Sequence, residues 1–147
     1  MNLRACGRSI LCLLLGLAVL PGVDTPPAAR ASGPCDAISG EPRPPISSPT
    51  PLIAGSVIDA SVSAAVSGAT VKVYRCEGGA ASLAGSTTTD GAGAFGFASL
   101  GGPDWYYVEV SLSGPLSGMQ PASGTANPSA PIDIGPGETG LVFGFEP

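Results

Sequence analysis

Histidine is absent from the 147 residues. Without imidazole, the Ser-His and Cys-His arrangements that activate a nucleophile are excluded. Charge is scarce at 12% of the chain, and Lys72 is the single lysine. Aromatic residues make up 5%, with one tryptophan, Trp105. The main apolar run, residues 10–20, falls well short of the roughly 20 residues needed to cross a hydrocarbon core. Paired carboxylates for glycoside hydrolysis would have to come from Asp59, Glu77, Asp90, Asp104, Glu109 and Asp133, and no spacing singles out two of them. The Gly91-Ala92-Gly93 stretch lacks the strand-to-helix setting of a phosphate cradle. These shortages argue against an enzyme, and no cofactor or metal is expected.

What the chain has is arranged in three parts. Arg4 and Arg8 precede the apolar run, and Ala29-Arg30-Ala31 closes the segment in the A-x-A pattern of a cleavage site. Residues 1–31 are therefore expected to be a signal peptide cut between Ala31 and Ser32, or a few residues earlier. No lipobox or sorting motif accompanies it: Cys35 lies far beyond the apolar run and follows Pro34. Removing this segment leaves ten acids against three bases, a formal −7. Such a surface repels nucleic acid and anionic lipid, so neither is an expected partner, and no stable membrane insertion should follow signal removal. Cys6 and Cys12 leave with the segment, while Cys35 and Cys76 remain as an even pair in an oxidising compartment. A disulfide is expected, because two thiolates without histidine make only half of a zinc site.

Residues 32–51 are expected to form a Pro-rich linker, since residues 41–51 hold five prolines. Such a run excludes helix and central strand and favours a semi-rigid polyproline II spacer. From Leu52 onward the pattern has period two and is broken often by turn residues. Strands are expected at residues 53–57, 69–74, 82–88, 94–97, 105–112, 132–134 and 141–145. Along 105–112, Tyr106, Val108, Val110 and Leu112 fall on the inner face, and Trp105, Tyr107, Glu109 and Ser111 on the outer. With 22 Gly and 16 Pro and no helical period, this predicts an all-β antiparallel seven-stranded sandwich over residues 52–147.

Several motifs recur in a definite order: Ile53-x-Gly55-x-Val57-x-Asp59, Gly68-Ala69-Thr70-Val71, Thr89-Asp90-x-x-Gly93-x-Phe95-x-Phe97, and Tyr106-x-Val108-x-Val110. In that order they resemble the prealbumin-like (Ig-like) B-type modules, which include carboxypeptidase-regulatory-like domains and the SdrD B-like repeats of surface adhesins. The closing Gly137-Glu138 and Val142-Phe143-Gly144-Phe145 tilt the likeness towards the SdrD B-like branch. Gly55 is expected to admit a close neighbour, Asp90 to cap backbone amides, and Gly91 and Gly93 to supply positive φ. Calcium-binding members carry clustered carboxylates in the first loop, whereas here Asp59 stands alone in residues 59–67. The Lys–Asn isopeptide bond of some relatives, formed beside a Glu, is not expected from Lys72 and Glu109, because Lys72 lies on a different strand and points outward.

The resemblance implies a secreted, non-enzymatic structural or adhesive module of the cell surface, cell envelope or extracellular space, with an unknown protein or glycan ligand. The alternative is a carbohydrate-binding accessory domain whose face is formed by Trp105, Tyr107 and Tyr74, three aromatics of outward parity. Packing of Trp105 under the loop at 113–131 competes with that reading. Sandwiches also keep open strand edges, which leaves assembly by edge pairing as a third possibility.

Overall fold

The computed structural model describes residues 33–42, 52–98, 100–101, 104–133 and 137–147. The expected cleavage site at Ala31 and Ser32 and the proline-rich positions 43–51 lie outside them. Among the described residues there are nine strands: β1 (Leu52–Asp59), β2 (Ala64–Ala65), β3 (Thr70–Glu77), β4 (Ala80–Thr88), β5 (Ala94–Ala98), β6 (Trp105–Ser111), β7 (Gln120–Pro121), β8 (Ile132–Asp133) and β9 (Glu138–Glu146). Two short 3-10 turns, Pro34–Ile38 and Gly114–Leu116, also lie among the described residues.

The strands form two sheets. One runs β2-β1-β9-β7, with β5 also paired to β1, and the other runs β4-β3-β6-β8. The count exceeds the expected seven because β2 and β7, two residues each, are too short to leave a period in the sequence. The architecture is also not wholly antiparallel. β1 and β9 pair in parallel, Ile53 opposite Glu138 through to Asp59 opposite Phe145. Most of the domain connects these two strands, so no hairpin dictates their direction.

Alternation sets the core. Ile53 and Val57 of β1, Val71 and Val73 of β3, and Tyr106, Val108 and Val110 of β6 point between the sheets and are buried. Phe95, Phe97, Phe143 and Phe145 fill the centre, with the Phe95 ring 6.0 Å from that of Phe143. Burying side chains of this size contributes about 1.5–3 kcal/mol each before conformational entropy is counted.

The turn between β4 and β5 is closed by its own side chains. The buried Thr89 hydroxyl accepts from the Ala69 amide at 2.9 Å and donates to the Val66 carbonyl at 2.6 Å. Asp90 Oδ1 accepts from the amides of Ala92 and Ala94, each at 2.9 Å. Gly93 adopts φ +74°, and its carbonyl accepts from the Val57 amide at 2.9 Å. Gly91 is not in the positive-φ region, contrary to expectation, so Gly93 alone turns the chain by that route.

Gly55 permits a close approach. A Cβ there would lie 2.2 Å from the Leu141 carbonyl oxygen of β9, beside the register shift between Ala54 and Gly55. The far edge of β6 is sealed by side chains where β8 stops short. Asn127 exchanges two hydrogen bonds with the Val110 backbone (2.9 and 2.8 Å), and Ser129 Oγ accepts from the Val108 amide at 2.9 Å. The loop thus supplies the bonds that a neighbouring strand would make.

Candidate functional site

Outward alternation on β3 and β6 brings Cys76, Tyr74, Trp105 and Tyr107 to one region of the second sheet's outer surface, because Tyr74 is opposite Tyr107 and Cys76 opposite Trp105. The three aromatics are therefore together, as their parity required. They do not form an open platform. The turn Pro34–Ile38 lies over the sheet, with Asp36 Oδ2 accepting from the Gly33 amide at 2.9 Å. A disulfide between Cys35 and Cys76 fixes it there, with the Cα atoms 5.3 Å apart. Cys35, Cys76 and Tyr107 form a second small core against which Ile38, Tyr74 and Trp105 pack.

Tyr107 is only 8% exposed, which corrects the expectation that it is accessible, whereas Tyr74 and Trp105 are half-buried. Parity placed it outside the main core, but residues 33–42, which precede the expected domain, cover it. Cys35 and Ile38 of the N-terminal segment contribute to this cover. The Tyr74 and Tyr107 rings stack at 4.9 Å with 11° between their planes. Burial first, then the charge of Glu109 and the phenol's hydrogen bond to that carboxylate, raises the Tyr74 phenol above its ordinary value. Burial also raises Tyr107, with Tyr74 and Glu109 adding to the effect. The Trp105 indole Nε1 is buried and has no hydrogen-bond partner among the described residues.

Concavities border this region. A cleft of about 230 Å³ lies beside the disulfide, bordered by Ile38, Glu41, Glu77, Gly79, Asp104 and Trp105. A groove of about 410 Å³ runs between β4 and β5, over Phe97, Leu100 and Tyr106. Between the two sits an ion pair that alternation could not reveal. Arg75, 32% exposed, presents Nε and a terminal nitrogen to Oδ2 of Asp104, 2% exposed. Burial opposes the Arg75 charge, but the hydrogen bond and charge of Asp104 outweigh it, so its pKa lies above the ordinary value. The neighbouring Tyr106 phenol donates to the Gly101 carbonyl at 2.6 Å, and burial raises its pKa as well.

Two further acids have local tasks. Asp59 accepts from the Ser61 amide at 2.9 Å, and Asp90 holds its own turn. Lys72 and Glu109 are cross-strand neighbours on the outer face. Among the described residues no three His, Cys, Asp or Glu side chains converge to hold a metal ion.

No family model matches the chain, and no curated protein does. Among solved structures, the C-terminal domain of the shaft pilin SpaA from Lactobacillus rhamnosus GG is similar at 14% identity and a TM-score of 0.47, over 68% of this chain and 99% of that one. The longer shaft pilin SpaA structure matches at 15% identity and a TM-score of 0.47, over 67% of this chain and 46% of that one. A 9R-lipoxygenase from Cyanothece PCC8801 matches at 13% identity and 0.39, over 72% of this chain and 18% of that one. Likenesses at this level fix neither family nor function.

Proposed function

We propose that this chain is a non-enzymatic structural or adhesive β-sandwich module of the cell surface or extracellular space, akin to the prealbumin-like SdrD B-like modules. The observation that carries the reading is the Cys35–Cys76 disulfide, which fastens the N-terminal turn over Tyr107. Structural disulfides persist in oxidising compartments, where small domains use them to supplement a limited core. The polar side chains support the same reading. Asp90, Thr89, Asn127 and Ser129 bond to backbone groups, and Asp104 is tied to Arg75. They hold the frame, and ligand contacts fall to its outer surfaces.

The test is fractionation of cells expressing the full chain, with mass spectrometry of the recovered protein and an attachment assay using beads coated with it. The expected outcome is recovery from the surface or medium, cleaved near Ala31, with Cys35 and Cys76 joined and the beads attaching to cells or matrix. Retention in the cytoplasm with both thiols free would overturn the reading.

A further inference from the structure

The two sulfurs of the disulfide are not equally approachable. Cys35 and Cys76 are both buried, yet the cleft of about 230 Å³ is bordered by Cys76 and not by Cys35. Gly40, Gly78 and Gly79 line that cleft without side chains. Its volume lies below the roughly 300–1,000 Å³ of a site for drug-sized ligands, which leaves room for a molecule of a few heavy atoms. Two exposed carboxylates, Glu41 and Glu77, stand on its rim. The third acid on its wall, Asp104, is ion-paired with Arg75. The amides of Asp36, Ser39 and Glu41 bond back to Gly33, Asp36 and Ile38, all within residues 33–42. The bridge is the covalent tie between that segment and β3.

We propose that Cys76 is a modification site, converted to a mixed disulfide by small thiols whose tails carry no negative charge. Thiol–disulfide exchange begins when a thiolate attacks one sulfur of the bridge, and access decides which. The cleft leads to Cys76, so the thiolate RS⁻ bonds to its Sγ as the Cys35–Cys76 bond breaks. The electron pair of that bond leaves on Cys35 Sγ, which takes a proton from water. The products are RS–S–Cys76 and the Cys35 thiol. One disulfide has replaced another, so no outside oxidant or reductant is needed. The rim sets which thiols enter. Glu41 and Glu77 repel a tail carrying a carboxylate or sulfonate and attract an ammonium, over a distance that salt can screen. Neutral thiols and aminothiols are therefore the class admitted. The adduct severs the tie that holds the turn over Tyr107. The inference concerns access to the bridge and stands apart from the adhesive reading.

The test treats the folded full chain, carrying Cys6→Ser and Cys12→Ser so that only the bridge responds, with cysteamine, 2-mercaptoethanol or 2-mercaptoethanesulfonate. These thiols match in length and differ in tail charge. Acid quenching, alkylation of freed thiols and peptide mass spectrometry report the rate and position of the adduct. It is expected on Cys76, with the alkyl label on Cys35. Per thiolate, cysteamine should react about tenfold faster than the sulfonate at low salt, falling to about threefold or less in about 1 M salt. Glu41→Gln with Glu77→Gln should bring the three rates within about twofold of one another. Glu138→Gln with Glu146→Gln removes the same charge from exposed positions on β9 and should leave the order unchanged. An adduct on Cys35, no adduct on the folded chain, or equal wild-type rates per thiolate would overturn the proposal. So would a preference that the cleft pair of substitutions weakens no more than the β9 pair does.

Discussion

Gly55→Ala isolates a backbone contact that side-chain repacking cannot relieve. The added Cβ would stand 2.2 Å from the Leu141 carbonyl oxygen, 2.8 Å from its Cβ and 2.9 Å from its carbonyl carbon. Restoring an ordinary 3.4 Å contact to that oxygen requires a shift of about 1.2 Å between β1 and β9. Those strands form the centre of the first sheet and carry Ile53, Val57, Phe143 and Phe145 into the core. Overpacking of this kind costs about 1–3 kcal/mol, and each backbone group stretched out of a buried hydrogen bond adds about 1–3 kcal/mol. Lower entropy of the unfolded chain returns less than about 1 kcal/mol. The net loss is about 4 kcal/mol, which lowers Tm by at least about 15 °C in a domain of this size. Gly96→Ala is the matched control. Gly96 pairs with Ala54 on the neighbouring strand, and its added Cβ meets nothing nearer than 3.9 Å. It should stay within about 0.5 kcal/mol of wild type. Urea unfolding followed by Trp105 fluorescence measures both variants. A Gly55→Ala loss below about 1 kcal/mol, or equal losses for the two, would refute the reasoning.

Three further outcomes are expected. Replacing Cys35 and Cys76 together with serine should cost about 4 kcal/mol for a 41-residue separation and red-shift Trp105 fluorescence as the turn lifts, and an unshifted spectrum would contradict the covering role. Thr89→Val, close in shape, strands the Ala69 amide and the Val66 carbonyl and should cost about 3 kcal/mol, whereas Thr89→Ser should cost about 1 kcal/mol; equal losses in chemical denaturation would show that the hydroxyl is not the cause. All three tyrosines have folded-state pKa values above the ordinary 10.0, so their contribution is complete below pH 10 and is lost as pH rises through the folded values. Phenolate absorbance should therefore appear together with unfolding above pH 10, and full ionisation near pH 10 with the fold intact would contradict this.

Much of this fold was legible because period two reports which face a side chain takes. Val71, Val73, Tyr106, Val108 and Val110 all point inward, and the Thr89–Gly93 turn carries its own instructions in side-chain oxygens and one glycine. The two remaining cysteines announced their bond by number. Alternation does not report what lies above a face. Tyr107 was assigned outward correctly and is buried all the same, because the covering turn lies about 70 residues away in sequence. The Arg75–Asp104 pair was hidden for a similar reason, since partners 29 residues apart meet only through the β3–β6 register and the chain leading into β6. The parallel direction of β1 and β9 depends on the whole intervening chain, which local pattern does not encode.

The parallel pairing of β1 with β9 has a mechanical consequence. The chain enters β1 where β9 begins, Ile53 opposite Glu138, and leaves β9 at the other end, beside Asp59. Tension drawn between these strands acts along them, so their hydrogen bonds bear it jointly in shear instead of parting one after another. The disulfide adds a second load path. A pull applied upstream of Cys35 bypasses β1 and enters the body at β3 through Cys76. The 41 positions spanned by that bond then stay out of the tension and cannot lengthen while it is closed. The extension available to a stretched chain is therefore shorter, by the segment between Cys35 and Cys76, when that bond is closed.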